Sequence, residues 1–198
     1  MDLAPGTWRL AAPLLALGGL GLVFAPIWGL FGLVLGGFVV WFHRDPDREP
    51  PDSGVLSPAD GTVTVLRTEG DRVRVGVFMN VTDVHVNRSP VAGEITGVEH
   101  VPGGHWPAFS KEAERNERLH IDYEELRVTL IAGTVARRIH PHVQSGATVS
   151  RGERIGHVSF GSRADVLLPP RFEMADVTVK TGETVRAGES VLAEDSQH

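Results

Sequence analysis

The 198-residue chain contains no cysteine, which removes disulfides, thiolate metal sites and cysteine nucleophiles from consideration. Lysine is almost as scarce: Lys111 and Lys180 are the two present. A pyridoxal phosphate enzyme needs a lysine for its resting cofactor linkage, and a biotinyl or lipoyl carrier needs one at a hairpin tip. Neither lysine stands in such a setting. No Lys/Arg-rich stripe occurs and the net charge is −6, which argues against a nucleic-acid partner. Charge of either sign is also missing from Leu10 to Phe42.

That uncharged run sets the first boundary. One bilayer crossing takes about 20 apolar residues, so the run is too long for a single untilted helix. Pro26 falls near its middle, where proline removes a helix hydrogen bond. Residues 1–43 are therefore expected to form a membrane segment of two short helices, 10–24 and 27–42. Trp8, Trp28 and Trp41 lie near the expected boundaries, as interfacial tryptophans do. Arg9 flanks one end, and His43, Arg44 and Arg48 flank the other, which suits both ends facing the cytoplasm at the cell membrane. One long tilted span is a competing reading. A signal peptide is another, but it has a shorter apolar core and a small-residue cleavage site.

Residues 44–53 read as a polar, proline-rich linker, and residues 54–198 as a β domain. Val73, Val75 and Val77 alternate with Arg72, Arg74 and Gly76, the period of a half-buried strand. Val84, Val86 and Val91 continue beyond a turn, and Leu126–Ile131 is a further strand ended by Gly133. One helix is expected, from Ser110 as cap to Arg118. Val143–Ile155 recurs 36 residues later as Val179–Val191, with six of thirteen positions identical, both glycines included. The expected fold class is mainly β: a barrel-sandwich hybrid-like domain with duplicated β-hairpin units, behind an N-terminal hydrophobic helical hairpin. Gly54–Val63 looks like the opening strand and turn of the same architecture.

Between the two copies lies Phe160-Gly161-Ser162-Arg163. A Gly-Ser bond in a tight turn leaves the glycine carbonyl sterically open to the serine hydroxyl. Ser57-Pro58-Ala59-Asp60-Gly61 supplies an acid and Asp83-Val84-His85-Val86-Asn87 a base. A lysostaphin-type zinc endopeptidase, tethered to the membrane, shares the glycine-spaced strands, and His140 and His142 point that way. Its required histidine pair after the first copy is missing; no metal is expected. Gly103–Phe109 reads as an aromatic loop, either dipping into the membrane or packing on the core.

Taken together, Phe42-His43-Arg44-Asp45-Pro46, Ser57–Gly61, Asn80–Pro90, Asn116-Glu117-Arg118, Ala136–Ile139 and Phe160–Arg163 resemble the phosphatidylserine decarboxylase proenzyme family, in its short membrane-anchored form. The landmarks cover the chain in the family's order. Longer members carry Leu-Gly-Ser-Thr at the cleavage motif, and Thr82 replaces the first histidine of their His-x-x-His pair. The resemblance implies a self-cleaving zymogen in which Asp60 orients His85, and His85 deprotonates Ser162. Cleavage between Gly161 and Ser162 would leave chains 1–161 and 162–198 as a heterodimer, with further oligomerisation left open. Ser162 would become a covalent pyruvoyl cofactor that forms a Schiff base with the substrate amine. The implied reaction converts phosphatidylserine to phosphatidylethanolamine and carbon dioxide, with archaetidylserine as the alternative substrate.

Overall fold

The uncharged run folds as two antiparallel helices, α1 (Thr7–Phe24) and α2 (Pro26–Phe42), broken at Ala25. Pro26 opens α2, where its missing N–H costs no hydrogen bond. Glycines set the packing between them. A Cβ on Gly18 would stand 2.6 Å from the Leu33 nitrogen, and one on Gly29 would overlap the Leu22 nitrogen. Such small-residue contacts let helix backbones approach closely. Leu17, Phe24, Ile27, Trp28, Leu30 and Phe31 point outward and are exposed, a surface suited to hydrocarbon. Strands β1 (Asp2–Leu3) and β2 (Arg44–Asp45) pair and bring the two ends of the hairpin together. α1 is long and apolar enough to cross a membrane; α2, at 17 residues, is a shorter apolar helix.

The computed structural model describes residues 2–104, 106–108, 113, 115–134, 139–158 and 161–195. Phe160, His105, Phe109, Ser110 and Ala136-Arg137-Arg138 lie outside them. The chain divides into two units, Met1–Asp47 and Arg48–His198.

In the second unit, β4 (Gly61–Glu69), β5 (Arg72–Met79), β8 (Gly97–Val101), β9 (Arg118–Asp122), β10 (Arg127–Ile131), β14 (Ser162–Leu167) and β15 (Thr184–Val185) make one antiparallel sheet. Its order is β15-β4-β5-β14-β10-β9-β8, so β14 lies at the centre. Alternation along each strand divides the two faces. Val75, Val77, Met79, Leu119, Ile121, Val128, Leu130, Ala164 and Val166 are buried in the core. Burying each large apolar side chain contributes about 1.5–3 kcal/mol. The helix expected from Ser110 to Arg118 falls largely outside the described residues. Beyond it, Leu119 and Ile121 alternate inward along β9.

The sequence repeat is a structural repeat. In the first copy, β12 (Thr148–Val149) pairs with β7 (Gly93–Glu94), and β13 (Arg154–Val158) pairs with β6 (Val86–Arg88) and β11 (Ile139–Pro141). In the second, β15 pairs with the start of β4, and β16 (Val191–Ala193) pairs with β3 (Val55–Leu56). Gly146 and Gly182 take φ of 85° and 91°, and Gly152 and Gly188 both take 73°. These are left-handed values that glycine adopts without penalty. The Gly152 N–H donates to Ser89 O at 2.9 Å and the Gly188 N–H to Ser57 O at 2.8 Å. Thus Ser57-Pro58 and Ser89-Pro90 are equivalent, and the duplication extends to segments upstream of the repeat seen in sequence. The described strands lie in open sheets of two, three and seven strands rather than in a closed barrel.

Tyr123, the only tyrosine, sits in this core with its hydroxyl 2.6 Å from Ser89 Oγ. Burial, opposed by the Ser89 hydrogen bond, pushes its phenol from the ordinary 10.0 up to about 12. Ultraviolet titration of phenolate formation reads this residue alone and is expected to show a midpoint near 12 in the folded protein. The neutral phenol's contribution to stability is present below pH 10 and lost as pH rises towards 12. A midpoint near 10 without unfolding contradicts this placement.

Candidate active site

Ser162 opens the central strand. It is fully buried and registers opposite Met79 of β5, with its Oγ 3.9 Å from Met79 Sδ. The same sulfur lies 3.6 Å from Asn87 Nδ2, so serine, methionine and asparagine meet at one buried point. Asn87 Oδ1 has no hydrogen-bond partner there among the described residues. Gly161, just before the strand, takes φ 65°; the chain turns in the left-handed region as it enters the sheet.

Both sides of this turn are held. On one side the β10–β14 register, Ile131 opposite Arg163, carries on to set Gly133 against Gly161. A Cβ on Gly133 would overlap the Gly161 carbonyl oxygen, 2.8 Å from its carbon and 3.5 Å from Ala108 Cβ. On the other side the β6–β13 ladder extends by one bond, from the Val158 N–H to the His85 carbonyl at 3.2 Å. His85 is thereby fixed beside the end of β13, three residues ahead of Gly161. It is 4% exposed, and its Nδ1 lies 3.0 Å from the Asp83 carbonyl. A carbonyl only accepts, so Nδ1 carries the proton and Nε2 the lone pair in the neutral ring.

Asp60 is held by a guanidinium and a backbone N–H. Its carboxylate takes two hydrogen bonds from Arg48 Nη2, at 2.9 and 2.8 Å, and one from the Ala187 N–H at 2.8 Å. Arg48 also reaches Glu189 at 3.1 Å. A fixed guanidinium is a stronger partner for a carboxylate than a neutral imidazole. Asp60 therefore ties the Ser57–Gly61 turn to the second repeat copy, and the His85 ring is bonded to the Asp83 carbonyl. Arg48, within the proline-rich linker, carried no sequence signal for this role.

The residue after Ser162 faces the other side of the sheet. Arg163 pairs with Asp165 through two bonds, at 2.7 and 3.0 Å, and donates to the Ala108 carbonyl at 3.1 Å. Asp165 also binds Arg74 at 3.2 Å, and Arg74 binds Glu69 at 2.6 Å. Arg163 and Asp165, two apart on β14, share one face of the sheet. They line a cleft of about 440 Å³ with Arg118 and His120. Burial, then the charges of Arg127 and Arg118, hold the His120 imidazole below its ordinary value. His140, His142 and His157 cluster elsewhere: His142 Nε2 lies 2.8 Å from His157 Nδ1, and His140 stacks on His157. Among the described residues, no group of three histidine or carboxylate side chains is arranged to hold a metal ion.

The profile of the phosphatidylserine decarboxylase family matches residues 35–193. The chain belongs to the phosphatidylserine decarboxylase family. A Halobacterium salinarum protein named "Putative archaetidylserine decarboxylase proenzyme" is 60% identical over 190 residues, covering 96% of this chain and 97% of its own. A phosphatidylserine decarboxylase proenzyme of Streptomyces griseus is 48% identical over 162 residues, covering 79% and 74%. One from Thermobifida fusca is 51% identical over 162 residues, covering 79% and 73%.

The Arg48–Asp60 pair is shielded, at 6% and 15% side-chain exposure. Removing one partner of such a pair costs about 3–5 kcal/mol, whereas replacing both with apolar residues restores most of the loss. Asp60→Asn is expected to lower the thermal midpoint and Arg48→Met/Asp60→Leu to recover it together with chain cleavage. Recovery of stability without cleavage would instead assign Asp60 a direct chemical role.

Proposed function

We propose that this chain cuts itself between Gly161 and Ser162 and, so matured, removes the carboxylate from the serine headgroup of a phospholipid. The observation that carries this is the site's layout: a left-handed Gly161 at the head of a central strand, a buried Ser162, and His85 fixed beside the incoming strand. His85 Nε2 accepts the Ser162 hydroxyl proton. The alkoxide attacks the Gly161 carbonyl, forming a C–O bond as the C–N bond breaks, and the proton passes to the Ser162 nitrogen. Loss of the Ser162 α-proton with departure of the Gly161 carboxylate leaves dehydroalanine. Tautomerisation and hydrolysis then release ammonia and leave a keto cap.

The surroundings of Ser162 suit such a cap. Its neighbours Met79 and Ala164 are apolar and fully buried, and the orphan Asn87 Oδ1 can accept an N–H from the substrate amine. A pyruvoyl group supplies the electron sink for the pair left when carbon dioxide departs. His85 is placed to return a proton to the α-carbon, with an ordinary imidazole range suited to work near neutral pH. The cut chains stay together because every strand of 162–198 pairs with a strand from before residue 162: β14 with β5 and β10, β15 with β4, and β16 with β3.

The α1–α2 hairpin anchors the protein in the membrane, and the cationic residues at its ends favour the cytoplasmic side. Its relative at 60% identity favours archaetidylserine as the substrate, with phosphatidylserine second. Both carry the same headgroup. Ser162→Ala is expected to stay a single chain of 198 residues without decarboxylase activity, by denaturing electrophoresis and carbon dioxide release from vesicles of either lipid. A cut and active Ser162→Ala protein overturns the reading. Turnover on the ether lipid at or above that on the ester lipid supports the substrate order; turnover on the ester lipid alone reverses it.

A further inference from the structure

Asn116 belongs to a motif that the chemistry above leaves without a task, and its surroundings supply one. Its side chain is fully buried and every polar capacity but one lone pair is used. Oδ1 accepts from the Trp106 N–H at 2.7 Å, while Nδ2 donates to the Trp106 carbonyl at 2.6 Å and the Ala132 carbonyl at 2.7 Å. An amide is the group that offers two donors and an acceptor in this space. Aspartate would set a carboxylate against two carbonyl oxygens, and glutamine would overreach.

Each end of this latch leads to the bond that is cut. Ala132 precedes Gly133, whose Cα is packed so closely on the Gly161 carbonyl that a Cβ there would overlap its oxygen. Trp106 leads to Ala108, whose Cβ borders the same contact and whose carbonyl is held by Arg163, the residue after Ser162. The latch strand is seated in turn: a Cβ on Gly103 would press on the Asn116 carbonyl carbon and oxygen, and the Ala132 N–H donates to Glu117 O at 3.0 Å.

We propose that Asn116 is a positioning residue for maturation, and that Gly133 is the surface against which it sets the Gly161 carbonyl for attack by Ser162. The proposal rests on the self-cleavage reading above. Attack requires the hydroxyl and carbonyl within a narrow geometry, and a displacement of about 1 Å can cost about 100-fold in rate. Asn116 acts before the ester forms and does not touch the reacting atoms.

The test follows the first-order rate of chain cleavage in freshly made full-length protein, with and without hydroxylamine, beside the thermal midpoint. Hydroxylamine cuts an ester already formed, so it separates a block before acyl shift from a block after it. Gly133→Ala and Asn116→Asp are expected to remain folded and to cleave about 100-fold more slowly or worse, with no acceleration by hydroxylamine. Asn116→Gln, which keeps the donors at the wrong reach, is expected to fall between them and the native chain.

Cleavage of folded Gly133→Ala and Asn116→Asp at the native rate, or hydroxylamine-accelerated cutting in either, overturns the proposal. Should Gly133→Ala fail to fold, the two Asn116 variants decide by the same criteria. Should both aspartate and alanine variants fail to fold, a normal rate in Asn116→Gln refutes the proposal and a slowed rate supports it. Ser162→Ala runs alongside: if it too is cut, the self-cleavage reading has failed, whereas an uncut Ser162→Ala with native-rate latch variants refutes the latch alone.

Discussion

The pairing of β14 between β5 and β10 is the constraint from which the rest of the molecule follows. A peptide bond at the head of an edge strand could relax into many geometries. Here six residues of β14 are registered to β5 and five to β10, so Ser162 enters the sheet at a fixed point. The conformational entropy lost in ordering that segment, about 1–2 kcal/mol per residue for backbone alone, is met by strands that also form the core. Under the proposed cleavage, the same pairing would keep the two products as one folded body. Severing the chain there would therefore cost the fold little.

The duplication would let the fold tolerate the proposed cut. Each repeat copy gives one short strand to a Ser-Pro segment and another to the strand beside it, and the copies meet at Gly152 and Gly188. Residues 162–198 carry one copy and the upstream chain carries the other. Neither copy completes its pairing within itself. The Arg48–Asp60–Ala187 contacts add a charged tie between the upstream Ser-Pro turn and the downstream copy. Asp60 thus joins the Ser57–Gly61 turn to the downstream copy.

Much of this was written in local patterns. The long uncharged run with Pro26 at its middle specified two helices, observed within a few residues of the expected limits. The alternating valines of β5 and the glycine spacing of the repeat specified strands and their turns. What sequence left open was non-local. Nothing in the spacing said that β14 lies mid-sheet, that linker Arg48 would capture Asp60, or that Asp83 would orient His85 through a carbonyl. Asn116 was visible as a motif member, but its role depends on Trp106 and Ala132, residues brought to it by the fold.

The most direct measurement of the central claim is the intact mass of the C-terminal chain in the purified native protein. The account predicts a species spanning residues 162–198 that is lighter than its serine-led sequence by one ammonia and reacts with borohydride at its first residue. A full-length chain that turns over serine phospholipid, or a C-terminal chain that begins with unmodified serine and is active, contradicts it.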